Sequence, residues 1–260
     1  MRKALGPVIA ALLAAVISSA GQTAQRCVKE SPAHAVALVE LYTSEGCSSC
    51  PPADRWLSAA GRSGPGADSV VLLALHVDYW DRLGWPDRFA SPRYTERQQL
   101  LARSGGTSFV YTPGVFLNLR EFRGWSSQPG FRAALKQLNA RPAGADIRLE
   151  LDLLSPAQLS VKADFRSRGG RPPQAFLALY ESGLSTEVKA GENRGATLRH
   201  DYVVREWIGP MAVNGSAEFA KTLALKADWK PQTLGVAAFV QDAGGGELLQ
   251  ATALNVCARG

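Results

Sequence analysis

The chain has four cysteines, and two of them stand in Gly46-Cys47-Ser48-Ser49-Cys50-Pro51-Pro52. An apolar run, Val36-Ala37-Leu38-Val39, precedes this segment and leads towards Tyr42. A helical stripe follows it, with Ala53, Trp56, Leu57 and Ala60 at i, i+3, i+4 and i+7. The cysteine pair therefore lies where a strand hands over to a helix. A helix N-terminus has partial positive charge and unpaired N–H groups, which stabilise a thiolate, and the thiolate is the nucleophile. Two intervening residues bring the second sulfur within bonding reach of the first. This predicts thiol–disulfide exchange, with Cys47 as the exposed attacker and Cys50 as the more buried resolving thiol. Pro51 and Pro52 fit, because first-turn N–H groups have no intrahelical acceptor.

A static disulfide or half of a zinc site would use the same two residues. Structural zinc takes four ligands, usually from two paired elements. The remaining cysteines, Cys27 and Cys257, lie near the two ends, and His34, His76 and His200 lack HxxxH spacing. No metal site and no diffusible cofactor are therefore expected. Copper(I) capture by two soft thiolates is a second reading. Only two methionines, one of them the start residue, argue against it. A non-catalytic interaction protein with an oxidised CxxC is the third.

His76-Val77-Asp78-Tyr79-Trp80-Asp81 leaves a second apolar run, residues 70–75, at its C-terminal end. Ligand and catalytic groups collect at that edge of α/β sheets. One reading makes Trp80 and Trp85 an aromatic platform for a peptide and His76 or Asp78 a proton shuttle for the buried thiol. The other makes His76 a core histidine and the tryptophans packing for a long loop. His200-Asp201, with Arg199 and Arg205, reads as a solvated strand face laced with salt bridges in preference to a polar site.

These groups need a scaffold. Up to about residue 142 the order reads β-α-β-α-β-β-α. Unbroken apolar runs suit central strands covered on both faces. Ser91 and Pro92 open a second helix over residues 91–104. Residues 114–119 form a further strand, with a short partner near 121–124, and Phe131, Ala134, Leu135 and Leu138 mark a third helix. After Arg141-Pro142-Ala143-Gly144 the period falls to two. Ile147, Leu149, Leu151 and Leu153 alternate with Arg148, Glu150 and Asp152. This signals antiparallel strands with one wet face. The expected division is an α/β domain over 33–142 and a mostly antiparallel, β-sandwich domain over 145–257. Gly244-Gly245-Gly246 is expected to turn the last hairpin.

Residues 1–24 read as a bacterial export signal. Arg2 and Lys3 form its positive region, an apolar run follows, and small residues place cleavage after Ala20. The run is shorter than the roughly 20 residues a bilayer demands. The mature chain is thus expected in the periplasm or outside the cell, with no membrane attachment. Export also places the cysteines in an oxidising compartment. Cys27 and Cys257 are expected to pair and tie the mature termini together, the alternative being two free thiols. The net charge is +6, and two of those charges lie in the signal. No dense Lys/Arg stripe with interleaved aromatics is present, so nucleic acid is not an expected partner. Protein or small-molecule thiols and disulfides are, together with a redox partner protein.

The strand-to-helix CxxC resembles the thioredoxin superfamily. That resemblance implies a cis-proline facing the cysteines. Tyr111-Thr112-Pro113 stands at the matching place, and Thr112 and Pro113 would hold an extended substrate chain. A closer resemblance is to a family of exported bacterial thioredoxin-like proteins of unassigned function, domain-of-unknown-function family 1223. It rests on residues 40–54, on His76-Val77-Asp78-Tyr79-Trp80-Asp81 with Leu83-Gly84-Trp85, on Asn193-Arg194-Gly195, on Leu198-Arg199-His200, and on Phe239-Val240-Gln241-Asp242. It implies a thioredoxin-like domain followed by the β-rich one. It departs at Gly114-Val115, where the family usually has Gln-Met. By distance from the first cysteine, Leu41 stands where many thioredoxins keep a buried acid, which leaves that role to Glu40 or Asp78 or unfilled.

Overall fold

The computed structural model describes residues 26–64, 66–169, 171–244 and 246–257. The expected export signal and Gly245 lie outside the described residues. The first strand, β1 (Arg26–Glu30), precedes β2 (Ala37–Thr43), α1 (Pro51–Ser63), β3 (Val70–His76), α2 (Pro92–Ser104), β4 (Gly114–Leu117), β5 (Arg120–Glu121) and α3 (Gln128–Asn139). Then come β6 (Ala145–Ser155), β7 (Gln158–Ser167), β8 (Gln174–Glu181), β9 (Leu184–Glu187), β10 (Thr197–His200), β11 (Val203–Ala212), β12 (Ser216–Ala224), β13 (Leu234–Gln241) and β14 (Leu248–Asn255).

The result is a mixed α/β protein. Its main sheet has eight strands in the order β14-β13-β8-β11-β3-β2-β4-β5, and an antiparallel sheet has the order β1-β6-β7-β12. The strands β2 and β3 are parallel, and both are buried along their whole length. Their unbroken apolar runs are the sequence record of a strand with no wet face. Helices α1 and α3 cover one face through Trp56, Leu57, Phe131 and Leu135. Helix α2 covers the other through Tyr94 and Leu101.

The main sheet does not stop at the expected boundary near residues 142–145. Strand β11 runs parallel to β3, with Val203 opposite Ala74, and the Ala74 N–H donates to the Tyr202 carbonyl at 2.8 Å. On its other side β11 pairs with β8, so one sheet spans both halves. In the second half a two-layered packing of the sheets forms. Leu149, Leu151, Val161 and Phe165 of the four-stranded sheet pack against Leu177, Leu179, Val236 and Ala238 of β8 and β13. Its second layer is the extension of the first half's sheet. Alternation along β8 divides the cores, because Phe176, Ala178 and Tyr180 face the α2 side instead. The hairpin β9–β10 belongs to neither sheet. Cys27 on β1 is disulfide-bonded to Cys257, just after β14, with Cα atoms 6.1 Å apart.

Candidate active site around Cys47 and Cys50

Strand β2 delivers the chain to Ser44, and two successive turns lead into α1. The Cys47 N–H donates to the Ser44 carbonyl, and the Cys50 N–H donates to the Cys47 carbonyl, each at 3.2 Å. Cys50 is the N-cap of α1, with Pro51 and Pro52 following. Cys47 thus stands one turn ahead of the helix. Cys47 and Cys50 are disulfide-bonded, with Cα atoms 5.4 Å apart. Pro51 and Pro52 lack N–H groups, and the Ala53 and Asp54 N–H groups both donate to the Cys50 carbonyl. The first turn of α1 therefore spends those donors on its own cap. Ser49 supplies a local one, its hydroxyl lying 3.3 Å from Cys47 Sγ, which as a disulfide sulfur can only accept.

The expected exposed attacker is not exposed. Cys47 and Cys50 are both 0% accessible, although Ser48 and Ser49 between them are exposed. The loop of residues 188–196, which joins β9 to β10, lies against this turn. Glu192 Oε2 accepts from the Ser48 N–H at 3.0 Å and from the Ser48 hydroxyl at 2.7 Å. Asn193 Nδ2 donates to the carbonyls of Glu45 and Cys47 at 2.9 and 3.0 Å. Gly191 has φ +71° and packs so tightly on Trp85 that an added Cβ would lie 3.1 Å from Trp85 Cβ. Only glycine satisfies both demands.

Trp80 joins the cysteine turn to the Thr112–Pro113 segment. Its Nε1 donates to Thr112 Oγ1 at 2.7 Å, and its Cβ sits 3.3 Å from where a Cβ on Gly46 would be. The Thr112–Pro113 peptide is cis. The register Tyr42↔Gly114 brings this segment to the sheet end where β2 runs into Cys47. Asp78 turns elsewhere, its Oδ1 accepting from Thr95 Oγ1 at 2.5 Å beside the start of α2.

His76 lies at the centre of a buried charged cluster. Its Nδ1 meets Asp87 Oδ2 at 2.6 Å, and its ring stands edge-on to His200 with centroids 5.0 Å apart. His76 Nε2 has no hydrogen-bond partner among the described residues. Burial alone would push the His76 pKa down, but the Asp87 carboxylate, with Asp54 and Glu45 beyond it, holds it above the ordinary histidine value. Asp87 opposes its own burial through His76 and through the N–H groups of Glu45 and Phe89, and its pKa falls below the usual carboxylate range. Glu45 is buried too. His200 Nε2 lies 3.3 Å from its Oε1, and Trp85 Nε1 donates to its Oε2 at 2.9 Å. Against the cost of burial, contacts with His200, Thr186 and Trp85 keep the Glu45 pKa low.

Asp54 completes the cluster one helical turn beyond Cys50, on the same face of α1. Thr43 Oγ1 donates to its Oδ2 at 3.2 Å, and burial raises its pKa despite His200 and His76. Glu40 is committed to the other side of β2, where Arg97 Nη2 meets it at 2.8 Å and Tyr42 donates to it at 2.9 Å.

His200 is not on a solvated face. It is 2% accessible and pressed against His76 and Glu45. The solvated-face reading fails because β10 folds back over the first half, a long-range contact that strand alternation does not encode. Asp54, Asn193 and His200 lie inside the residue blocks that carry the family resemblance. Nothing local assigned Asn193, Glu192, Asp54 or Asp87 to the site. Among the described residues no group of three or more His, Cys, Asp or Glu side chains is arranged to hold a metal ion.

The fold and the site define a mixed α/β protein with a buried CxxC disulfide at the start of a helix. The chain belongs to the family described as protein of unknown function DUF1223, whose profile matches residues 38–241. It is similar to the crystal structure of protein AGR_C_4864 from Agrobacterium tumefaciens, at 27% identity and a TM-score of 0.64, over 87% of this chain and 97% of that one. It also shares its fold with HBP35 of Porphyromonas gingivalis, at 15% identity and a TM-score of 0.67, over 87% of this chain and 76% of that one. No curated protein matches the chain significantly.

Proposed function

We propose that this protein is an exported, periplasmic or secreted thiol–disulfide oxidoreductase whose first half is thioredoxin-like. The observation that carries the reading is the Cys47–Cys50 disulfide at the cap of α1, linked through Trp80 to the Thr112–Pro113 segment. The β-α-β-α-β-β-α order of the first half supports the same architecture.

In the reducing direction the Cys47 thiolate attacks one sulfur of a substrate disulfide. The substrate S–S bond breaks, a mixed disulfide forms, and one substrate thiolate leaves. Cys50 then gives up its proton and attacks Cys47 Sγ. The mixed disulfide breaks, the second substrate thiolate leaves, and the Cys47–Cys50 disulfide is restored. The substrate gains two electrons and the cysteine pair loses them; oxidation of a dithiol runs the same steps backwards. In this mechanism Asp54, buried one helical turn beyond Cys50 with its pKa raised, takes the Cys50 proton. Trp80 and Thr112 line the approach for an extended chain. The partners are protein or small-molecule disulfides, with a second redox protein resetting the pair.

Trapping tests this reading. Cys50→Ala removes the resolving thiol and should accumulate mixed disulfides that Cys47→Ala does not form. Equal capture by both variants would overturn it.

Burial of both sulfurs favours a second reading, in which the pair is a static staple. A reduction potential below about −300 mV would place it there.

A further inference from the structure

We propose that the loop of residues 188–196 is an autoinhibitory lid, whose tip must leave the Cys47–Ser48 peptide before a macromolecular partner can reach the disulfide. The proposal rests on the oxidoreductase reading of the pair and concerns its regulation.

Two of the contacts fall on a single peptide group. Its carbonyl, from Cys47, accepts from Asn193, and its N–H, from Ser48, donates to Glu192. Two consecutive lid residues therefore occupy both polar ends of the backbone beside the reactive sulfur. The Cys47 carbonyl also holds the Cys50 N–H, so an incoming extended chain must above all take over the Ser48 N–H, because a backbone group buried without a partner is costly. The lid thus competes for the surface the partner would use. Beside it both sulfurs are out of solvent, while Ser48 and Ser49 stay exposed.

The lid is built to separate from its base. Hairpin β9–β10 is hydrogen-bonded into neither large sheet. Its base is held by buried His200 against Glu45 and by Arg88 Nη2 donating to the Ser185 carbonyl at 3.3 Å. The tip is held by the side chains of Glu192 and Asn193 and by the contact of Gly191 with Trp85. Gly191, Glu192, Arg194 and Gly195 are exposed. Hydrogen bonds of this kind contribute little net free energy each, since water replaces them readily. The loop keeps its own shape through bonds between Val188 and Ala196, Gly195 and Val188, and Arg194 and Gly191. Val188 stays buried, so the part that swings is the tip, residues 189–195.

The test compares two reductants on the oxidised protein, dithiothreitol and a small dithiol protein. Each gives two electrons and two protons, becoming a disulfide while Cys47 and Cys50 become thiols. In Glu192→Ala/Asn193→Ala the rate with the dithiol protein should rise about tenfold relative to the rate with dithiothreitol. Gly191→Ala, which touches no polar group of the site, should shift the same ratio in the same direction. In the unaltered protein, the Ser48 amide should exchange with deuterium faster than the amides of β3. An unchanged ratio in both variants, or a Ser48 amide that exchanges only on global unfolding, would overturn the lid. General unfolding of the double variant would speed both reductants alike and would also count against it. A shifted ratio with no trapping by Cys50→Ala would keep the lid and remove the oxidoreductase reading. Trapping with an unchanged ratio would do the reverse.

Discussion

Trp80 Nε1 donates to Thr112 Oγ1 at 2.7 Å, so one indole spans the gap between the cysteine turn and the segment across from it. The two sides come from distant stretches of chain, and this bond fixes their spacing. Trp80→Phe keeps an aromatic ring and deletes the donor. It should cost about 1 kcal/mol of stability. It should also weaken KM for a disulfide-bridged peptide several-fold while leaving kcat nearly unchanged. Steady-state kinetics on such a peptide checks the split, and an unchanged KM would remove Trp80 from the approach surface.

Asp54 gives a pH signature. Burial holds its carboxyl above the usual carboxylate range, so the folded protein keeps a proton that the unfolded chain has released. Its contribution is therefore most favourable at low pH and declines as pH rises from the unfolded value through the folded one. Asp54→Asn should flatten that decline and raise stability at neutral pH. Under the proposed mechanism it should also slow release of substrate from the Cys50 step. Urea unfolding across pH reads the first effect, and single-turnover kinetics the second.

The His76–Asp87 pair behaves differently. Asp87 has a lowered folded pKa, so its contribution is present above about 3.8 and is lost as pH falls through the folded value. His76 has a raised folded pKa, so its contribution is complete below 6.5 and is lost as pH rises through the folded value. The pair is therefore most stabilising between those ordinary values. Asp54, Glu45 and His200 also face His76 from α1, the cysteine turn and β10. Asp87→Asn should cost about 3–5 kcal/mol in that window, the penalty for stranding a buried charge. The loss should shrink in alkaline buffer. Thermal melts at pH 5.5 and pH 9 make the comparison.

The Cys27–Cys257 bond closes a loop with a sequence separation of 230 residues. Chain entropy alone assigns such a closure about 5 kcal/mol. Cys27→Ser/Cys257→Ser should lose stability of that order in denaturant unfolding. Because the bond joins β1 to the end of β14, the rate at which dithiothreitol reduces Cys47–Cys50 in the folded state should not change.

The elements were more legible in the sequence than the site. Alternation in residues 147–165 and the apolar runs at 36–39 and 70–75 each report a local environment, which is all periodicity carries. Strands β1, β9, β10 and β12 left weaker marks, being short or largely exposed. The Cys47–Cys50 motif stood out because its chemistry is written in consecutive residues. The loop against it did not, since Glu192 and Asn193 reach it across 144 and 146 positions. Nor did the meeting of His76 with His200, which depends on where β10 lands. The expected boundary near residue 142 marks a true change of period, yet hydrogen bonding ignores it. Polarity patterns report which face is wet, not which strand lies alongside.

That disregard has a practical corollary for anyone dissecting the molecule. Expressing residues 33–142 alone would strip β11 from the flank of β3 and bare the main-chain donors and acceptors of a fully buried, mostly apolar strand. Such a flank recruits other chains. The fragment should precipitate or self-associate, and its cysteines would then sit in an environment the intact protein never offers. Transplanting the redox motif into another scaffold would require moving both halves together, as one indivisible plank.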